Sequence, residues 1–213
     1  MAFVTERSVY CTDRRAAALV LAHGAGAGQR SAFMVAAARA LADRGIVTMT
    51  FDFPYTAEGR KVPDRGPILE AAWRDAVGHV ASVPEMRGLP LFIGGKSMGG
   101  RIASQAAAAG DLPIAGLVFL GYPLHPPGRP AERRDRHLPA IAAPMLFVQG
   151  SRDGFGTADE IRALLPRLQD AELFEVEGGD HSFKVPARLR PQDEVLQGVY
   201  DAVAAFVMRH GSR

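Results

Sequence analysis

The sequence predicts an α/β fold, a mainly parallel β-sheet covered by helices on both faces. Three observations lead there: short apolar runs rich in branched residues, segments of helical spacing between them, and turn residues at the junctions. The runs 17–22, 46–51, 91–93, 114–120, 145–148 and 173–176 have the length and turn-rich flanks of buried strands. The intervening segments read as helices. Ser31 is placed to cap one that carries Phe33, Met34, Ala37, Ala38 and Leu41, with Gly45 as its stop. Thr157–Glu160 matches a capping box and opens a helix with Ile161, Leu164, Leu165 and Leu168 at helical spacing, disturbed in its last turn by Pro166. From Asp193 onward, Leu196, Val199, Val203, Phe206 and Val207 form the apolar stripe of a C-terminal helix.

With 213 residues, 47% of them apolar and 23% charged, the chain suits one core, and residues 1–213 read as a single domain. A formal net charge of +2 without long basic blocks argues against nucleic-acid binding, although the stretch from Arg129 to His137 is locally basic. Cys11 is the only cysteine, which rules out an intramolecular disulfide and a thiolate metal site. The N-terminus meets charge before any apolar stretch, and no segment is long enough to span a bilayer, so a cytoplasmic protein without membrane association is expected. Two connections, 54–67 and 122–144, exceed simple turns and are expected to rim a functional site.

The most specific motif is Gly95-Lys96-Ser97-Met98-Gly99, directly after an apolar strand. A serine on a sharp strand-to-helix turn projects its hydroxyl, and the residues two before and two after it must be small to avoid each other. The Ala-rich helix that follows can pack close to the sheet and aim its positive end at a reacting oxygen. Two phosphate-binding readings fail. A Walker motif ending in Gly95-Lys96-Ser97 requires glycine where Pro90 stands, and a dinucleotide fingerprint starting at Gly24 requires glycine where Gln29 stands.

A serine hydroxyl needs a base, and the base a partner, in the chain order serine, acid, histidine. Asp153 follows the strand run 145–148, and His181 follows the next run, 173–176, so both sit on loops at strand ends. Asp180 is a rival acid, but its adjacency to His181 makes the imidazole bond awkward. His79, His125, His137 and His210 lack a comparable position, and His23 precedes the nucleophile and reads as a structural residue. Met98 supplies one oxyanion N–H. The loop His23-Gly-Ala-Gly-Ala-Gly28 supplies the other, from Ala25 first or Gly26 second. Phe53, Tyr55, Tyr122 and Phe155 are candidate walls of a substrate pocket.

These motifs, with Phe51-Asp-Phe-Pro-Tyr55 and Pro63-Asp-Arg65, resemble the α/β-hydrolase superfamily and its dienelactone-hydrolase-like group. More narrowly, they resemble the branch that includes testis-expressed protein 30 and the hydrolase-like domain of a regulatory NSL-complex subunit. The resemblance spans nearly the whole chain and implies a sheet of about seven strands without a substantial cap. It implies a small-molecule acyl substrate and no cofactor or metal. Dienelactone hydrolases use cysteine where this chain has Ser97, which argues against dienelactone as the substrate. The expected activity is hydrolysis of an ester, thioester or related acyl bond through Ser97, His181 and Asp153. The alternative is a catalytically idle interaction module, since fold alone does not settle function. Arg60, Lys61, Arg65, Arg101, Arg129, Arg133, Arg134 and Arg136 either surround the mouth with positive charge or pair with Asp64, Glu132 and Asp135. A homodimer is compatible with the sequence, but no feature requires one.

Overall fold

The computed structural model describes residues 6–110 and 112–211; the N-terminal residues 1–5, whose charge pattern is noted above, lie outside them. The strands are β1 Arg7–Tyr10, β2 Ala17–Ala22, β3 Ile46–Phe51, β4 Leu91–Lys96, β5 Gly116–Leu120, β6 Met145–Gly150 and β7 Ala171–Val176. The helices are α1 Ala32–Asp43, α2 Pro54–Ala57, α3 Gly66–His79, α4 Met98–Ala108, α5 Ala158–Leu164 and α6 Gln192–Gly211. The strands form one sheet in the order β1-β3-β2-β4-β5-β6-β7, parallel except for β1, and no large cap covers it.

The apolar runs form strands because helices cover both faces. β2 and β3 are buried at every residue. Alternate residues of the strands feed two cores. One holds α1 and α6 through Met34, Leu41, Val199, Val203 and Phe206, and the other holds α3, α4 and α5 through Trp73, Ile102 and Ile161. The Ser31 cap stands where expected, though its side chain makes no capping bond, and Gly45 at φ +83° follows the end of α1. Thr157 and Glu160 form both bonds of their capping box. Pro166 has a stronger effect than expected. The α-helix stops at Leu164, the chain tightens into a 3₁₀ turn over Leu165–Arg167, and Leu168 falls beyond it. On α6 the buried stripe is Val195, Val199, Tyr200, Val203, Phe206 and Val207, with Leu196 at its edge.

The sequence reading misses β1, a short edge strand whose pattern is only half apolar and whose pairing to β3 comes from tertiary contact. It also ends β4 and β6 early, because Gly94, Gly95 and Gly150 resemble turn residues while pairing as strand.

The sheet order places a functional site. From β2 the chain goes to β3 on one side and then to β4 on the other, and the loops after β2 and β4 diverge at that reversal. In parallel α/β sheets, ligands bind in the crevice at this switch point, outside the carboxyl ends of the strands.

Two packing features tie the surrounding helices to that end of the sheet. Trp73 of α3, the only tryptophan, is fully buried, and its indole N–H donates to the Gly99 carbonyl at 3.2 Å, fixing α3 against α4. His137 lies behind α4, where Ser104 Oγ is 2.7 Å from both His137 Nε2 and the Arg101 carbonyl. Burial, with the Arg101 charge beside it, pushes His137 down to about 4. His23 is fully buried after β2, and burial lowers its affinity for protons too, against the opposing Gly24 carbonyl and Asp52.

Trp73→Ala should lower stability by about 3–5 kcal/mol, read by urea denaturation followed by circular dichroism because the fluorescent probe is lost. The two histidines predict a pH effect of definite sign. Between about 6.5 and 4 the unfolded chain binds more protons at His137 than the native state does, so stability falls as pH drops through that window. The urea midpoint of the wild type should decline from pH 7 to pH 4.5, and more shallowly for His137→Gln. Equal slopes would show that His137 is not held neutral.

Candidate functional site

Ser97 sits between β4 and α4 with φ 51° and ψ −116°, a conformation that a side-chain-bearing residue adopts at a cost of about 1–3 kcal/mol. The strain is imposed by close packing. A Cβ added at Gly95 or at Gly99 would lie 2.2 Å from the Ala22 carbonyl oxygen, so neither position has room for any other residue while the turn is this tight. The Ser97 N–H donates to the Leu120 carbonyl, at the end of β5, at 3.1 Å. With its backbone held on both sides, the serine projects its hydroxyl out of the turn.

His181 Nε2 lies 2.8 Å from Ser97 Oγ, and His181 Nδ1 lies 2.7 Å from Asp153 Oδ2. The geometry fixes the tautomer: Nδ1–H donates to the carboxylate, leaving Nε2 to accept from the hydroxyl. Asp153 is 1% exposed. Its Oδ1 accepts the Phe155 N–H at 2.8 Å, and its Oδ2 accepts Gln149 Nε2 at 2.9 Å as well as the imidazole. Asp180 serves its own loop instead, accepting the N–H groups of Ser182 and Lys184 at 2.7 and 2.9 Å. That turn brings Phe183, at φ 61°, under the loop as a buried anchor.

Three residues support this arrangement, of which Gln149 and Asp52 escaped sequence reasoning while Lys96 was open there between tuning the serine and pointing away. Gln149, fully buried at the end of β6, donates to Asp153 and to the Gly156 carbonyl at 2.6 Å, and accepts the Tyr122 N–H at 2.8 Å. A glutamine closing an apolar strand was the available signal. Lys96, beside the serine, turns inward: its Nζ donates to the His181 carbonyl at 2.5 Å and lies 5.6 Å from the centre of the Phe183 ring. Burial pushes its ammonium down to about 8, against the opposing fields of Asp153 and Asp180. Asp52 braces the loop after β2 by accepting the Gln29 N–H at 2.7 Å. His23 has the structural position expected of it: Nδ1 bonds the Gly24 carbonyl at 2.9 Å, and Nε2 accepts the Phe53 N–H at 3.3 Å.

A cavity of about 1050 Å³ opens over these groups, lined by Ser97, His181, Met98, Gly24, Ala25 and Phe155 among others. Met98 is the first residue of α4, so its N–H has no acceptor within the helix. A Cβ added at Gly24 would lie 3.4 Å from the Ser97 Cβ, so the loop after β2 runs alongside the serine. Ala25 borders the cavity; Gly26, at φ +74°, takes the turn and does not. Phe155 stacks against His181 with ring centres 4.3 Å apart. The connections 54–67 and 122–144 reach the cavity through Asp64 and Arg134.

Tyr55 and Tyr122 are not pocket walls. Each is 1% exposed. Tyr55 stacks on Phe53 and meets His23 edge-on, while Tyr122 packs against Phe119 and Phe147 and donates its hydroxyl to the Arg134 carbonyl at 2.8 Å. Aromatic rings at strand ends are drawn into the core when neighbouring rings offer a closed apolar environment. Phe53 is likewise fully buried.

The fold is shared with solved structures of low sequence identity. Est1E from Butyrivibrio proteoclasticus, with ferulic acid bound, superposes with a TM-score of 0.76 at 14% identity, covering 98% of this chain and 96% of that one. A dienelactone hydrolase from Anabaena variabilis gives 0.75 at 21% identity, covering 97% and 92%. A monoacylglycerol lipase from Paleococcus ferrophilus gives 0.73 at 18% identity, covering 98% and 100%. Among the described residues no helix is long and apolar enough to cross a membrane. Residues 15–208, most of the chain, match the family described as alpha/beta hydrolase domain, and the chain belongs to that family.

Proposed function

We propose that this protein is a serine hydrolase that cleaves a carboxylic ester, thioester or related acyl bond by way of an acyl-enzyme. The observation that carries the proposal is the unbroken hydrogen-bond chain from Ser97 through His181 to buried Asp153 at the floor of an open cavity. Ser97 Oγ attacks the acyl carbon while His181 Nε2 takes its proton. The resulting oxyanion is met by the N–H groups of Met98 and Ala25, and His181 returns the proton to the departing alcohol or thiol. Water then repeats the sequence against the acyl-enzyme and frees the acid. Asp153 holds the imidazole in the tautomer this requires and stabilises the imidazolium, with Gln149 and the Phe155 N–H holding Asp153 in turn.

An interaction module on the same fold would have no use for a strained serine or for a buried carboxylate aimed at its histidine. The lipase among the structural neighbours and the dienelactone hydrolase are in keeping with acyl chemistry. We also keep the narrower resemblance to the testis-expressed protein 30 branch, and a cytoplasmic setting compatible with the single exposed cysteine.

The test is labelling with a fluorophosphonate probe followed by turnover of p-nitrophenyl esters. Wild type should label, and Ser97→Ala and His181→Ala should not. Asp153→Asn should retain its fold while kcat falls by roughly 10⁴-fold, because the amide favours the wrong imidazole tautomer. A folded wild-type protein that neither labels nor turns over any ester in the series would overturn the proposal.

A further inference from the structure

The cavity over Ser97 differs in chemistry on its two sides. On the face of the sheet carrying α1 and α6 it is walled by Phe33, Met34 and Leu196. On the face carrying α3 and α4 it is walled by Arg101 and Arg134 beside Leu69 and Ile102. Three of the basic residues around the mouth find acids: Arg60 pairs with Glu58 and Asp64, Arg129 with Glu132, and Arg133 with Asp135. Arg101 and Arg134 do not. Among the described residues neither has a carboxylate within ion-pair distance, although both line the cavity.

Arg101 is held where its charge is least comfortable. Its Nη1 donates to Gln105 at 3.1 Å, but its Nε is buried without an acceptor. A guanidinium does not shed its proton to escape such a setting. Burial and the nearby Arg134 charge both disfavour it, and Glu70, the opposing acid, is already beside Arg74. The backbone of Arg134 is anchored as well. Its N–H donates to the Leu124 carbonyl at 2.8 Å, and its own carbonyl accepts the Tyr122 hydroxyl at 2.8 Å. Among the described residues the one acid lining the cavity, Asp64, is occupied by Arg60 and by the Tyr55 N–H. Lys96 and Lys184 also line the cavity, Lys96 with its ammonium turned onto the His181 carbonyl.

Two unpaired arginines lining one cavity, one with a buried N–H lacking an acceptor, make a destabilising arrangement that an entering anion relieves. Arg101 stands one helical turn after Ser97 on α4, and both residues line the same cavity.

We propose that Arg101 and Arg134 form an anion subsite, and that the substrate is an acyl compound with a carboxylate or phosphate on one side of the scissile bond and an apolar group, lying against α1 and α6, on the other. This rests on the hydrolase reading of Ser97 and names the substrate class for it.

Two measurements test it. The first compares p-nitrophenyl hydrogen glutarate with its neutral methyl-ester counterpart in wild type, Arg101→Met and Arg134→Gln. The second titrates glutarate and inorganic phosphate into Ser97→Ala by calorimetry, alone and combined with each arginine substitution, which separates the carboxylate from the phosphate. Wild type should favour the anionic ester in kcat/KM by roughly ten- to a hundredfold, and either substitution should carry that ratio toward one. Arg134→Gln, on a half-exposed loop, keeps the test valid if Arg101→Met folds poorly. Equal use of both esters together with arginine-dependent anion binding supports the subsite, with the anion on the leaving-group side. Equal use with no anion bound overturns the subsite and leaves the hydrolase standing. Arginine-dependent anion binding by a protein that neither labels nor turns over ester keeps the subsite and removes the hydrolase.

Discussion

The Ala22 carbonyl, at the end of β2, is the constraint on which the site depends. The backbones at Gly95 and Gly99 both press against it, closer than any Cβ would allow. That contact locks the turn holding Ser97 to the neighbouring strand, forces the serine into its strained conformation, and draws the loop after β2 alongside it. The strain is sustained because the sheet and α4 over-determine it: β4 pairs on both sides, and Trp73 grips the first turn of α4. Relaxing the turn would mean unpacking the centre of the molecule.

Around this rigid centre the polar groups fall into two kinds. Those that hold the site together are buried and fully bonded, as with His23 between the Gly24 carbonyl and the Phe53 N–H, or Gln149 spanning Tyr122, Asp153 and Gly156. Two residues that line the cavity keep capacity to spare, Met98 at its backbone N–H and Arg101 at its buried Nε. Buried polar groups are costly when unmatched, so spare capacity beside the serine marks a place where a ligand can bind.

How much of this was legible in the sequence depended on how local the cause was. The elbow, the capping box and the order of serine, acid and histidine are short-range patterns with a steric or chemical reason, and the structure brings Ser97, Asp153 and His181 together at hydrogen-bond distance. The tyrosines show the limit. Nothing near Tyr55 or Tyr122 in the sequence says that Phe53, Phe119 and Phe147 will enclose them. Arg101 and Arg134 were indistinguishable from their neighbours in a list of surface cations, because pairing is decided by which acids the fold brings near. β1 was invisible for the same reason: its partner β3 supplies the pairing that its own four residues do not suggest.

The position of β7 has a consequence for durability. The serine belongs to the middle of the sheet, whereas the histidine hangs from β7, the terminal strand, which pairs with β6 alone and is only half buried. Edge elements open at lower free energy than central ones. On the proposed hydrolase reading, heat would therefore separate His181 from Ser97 while the core stayed closed, and activity would be lost before the protein melted, reversibly for as long as the strand could find its place again.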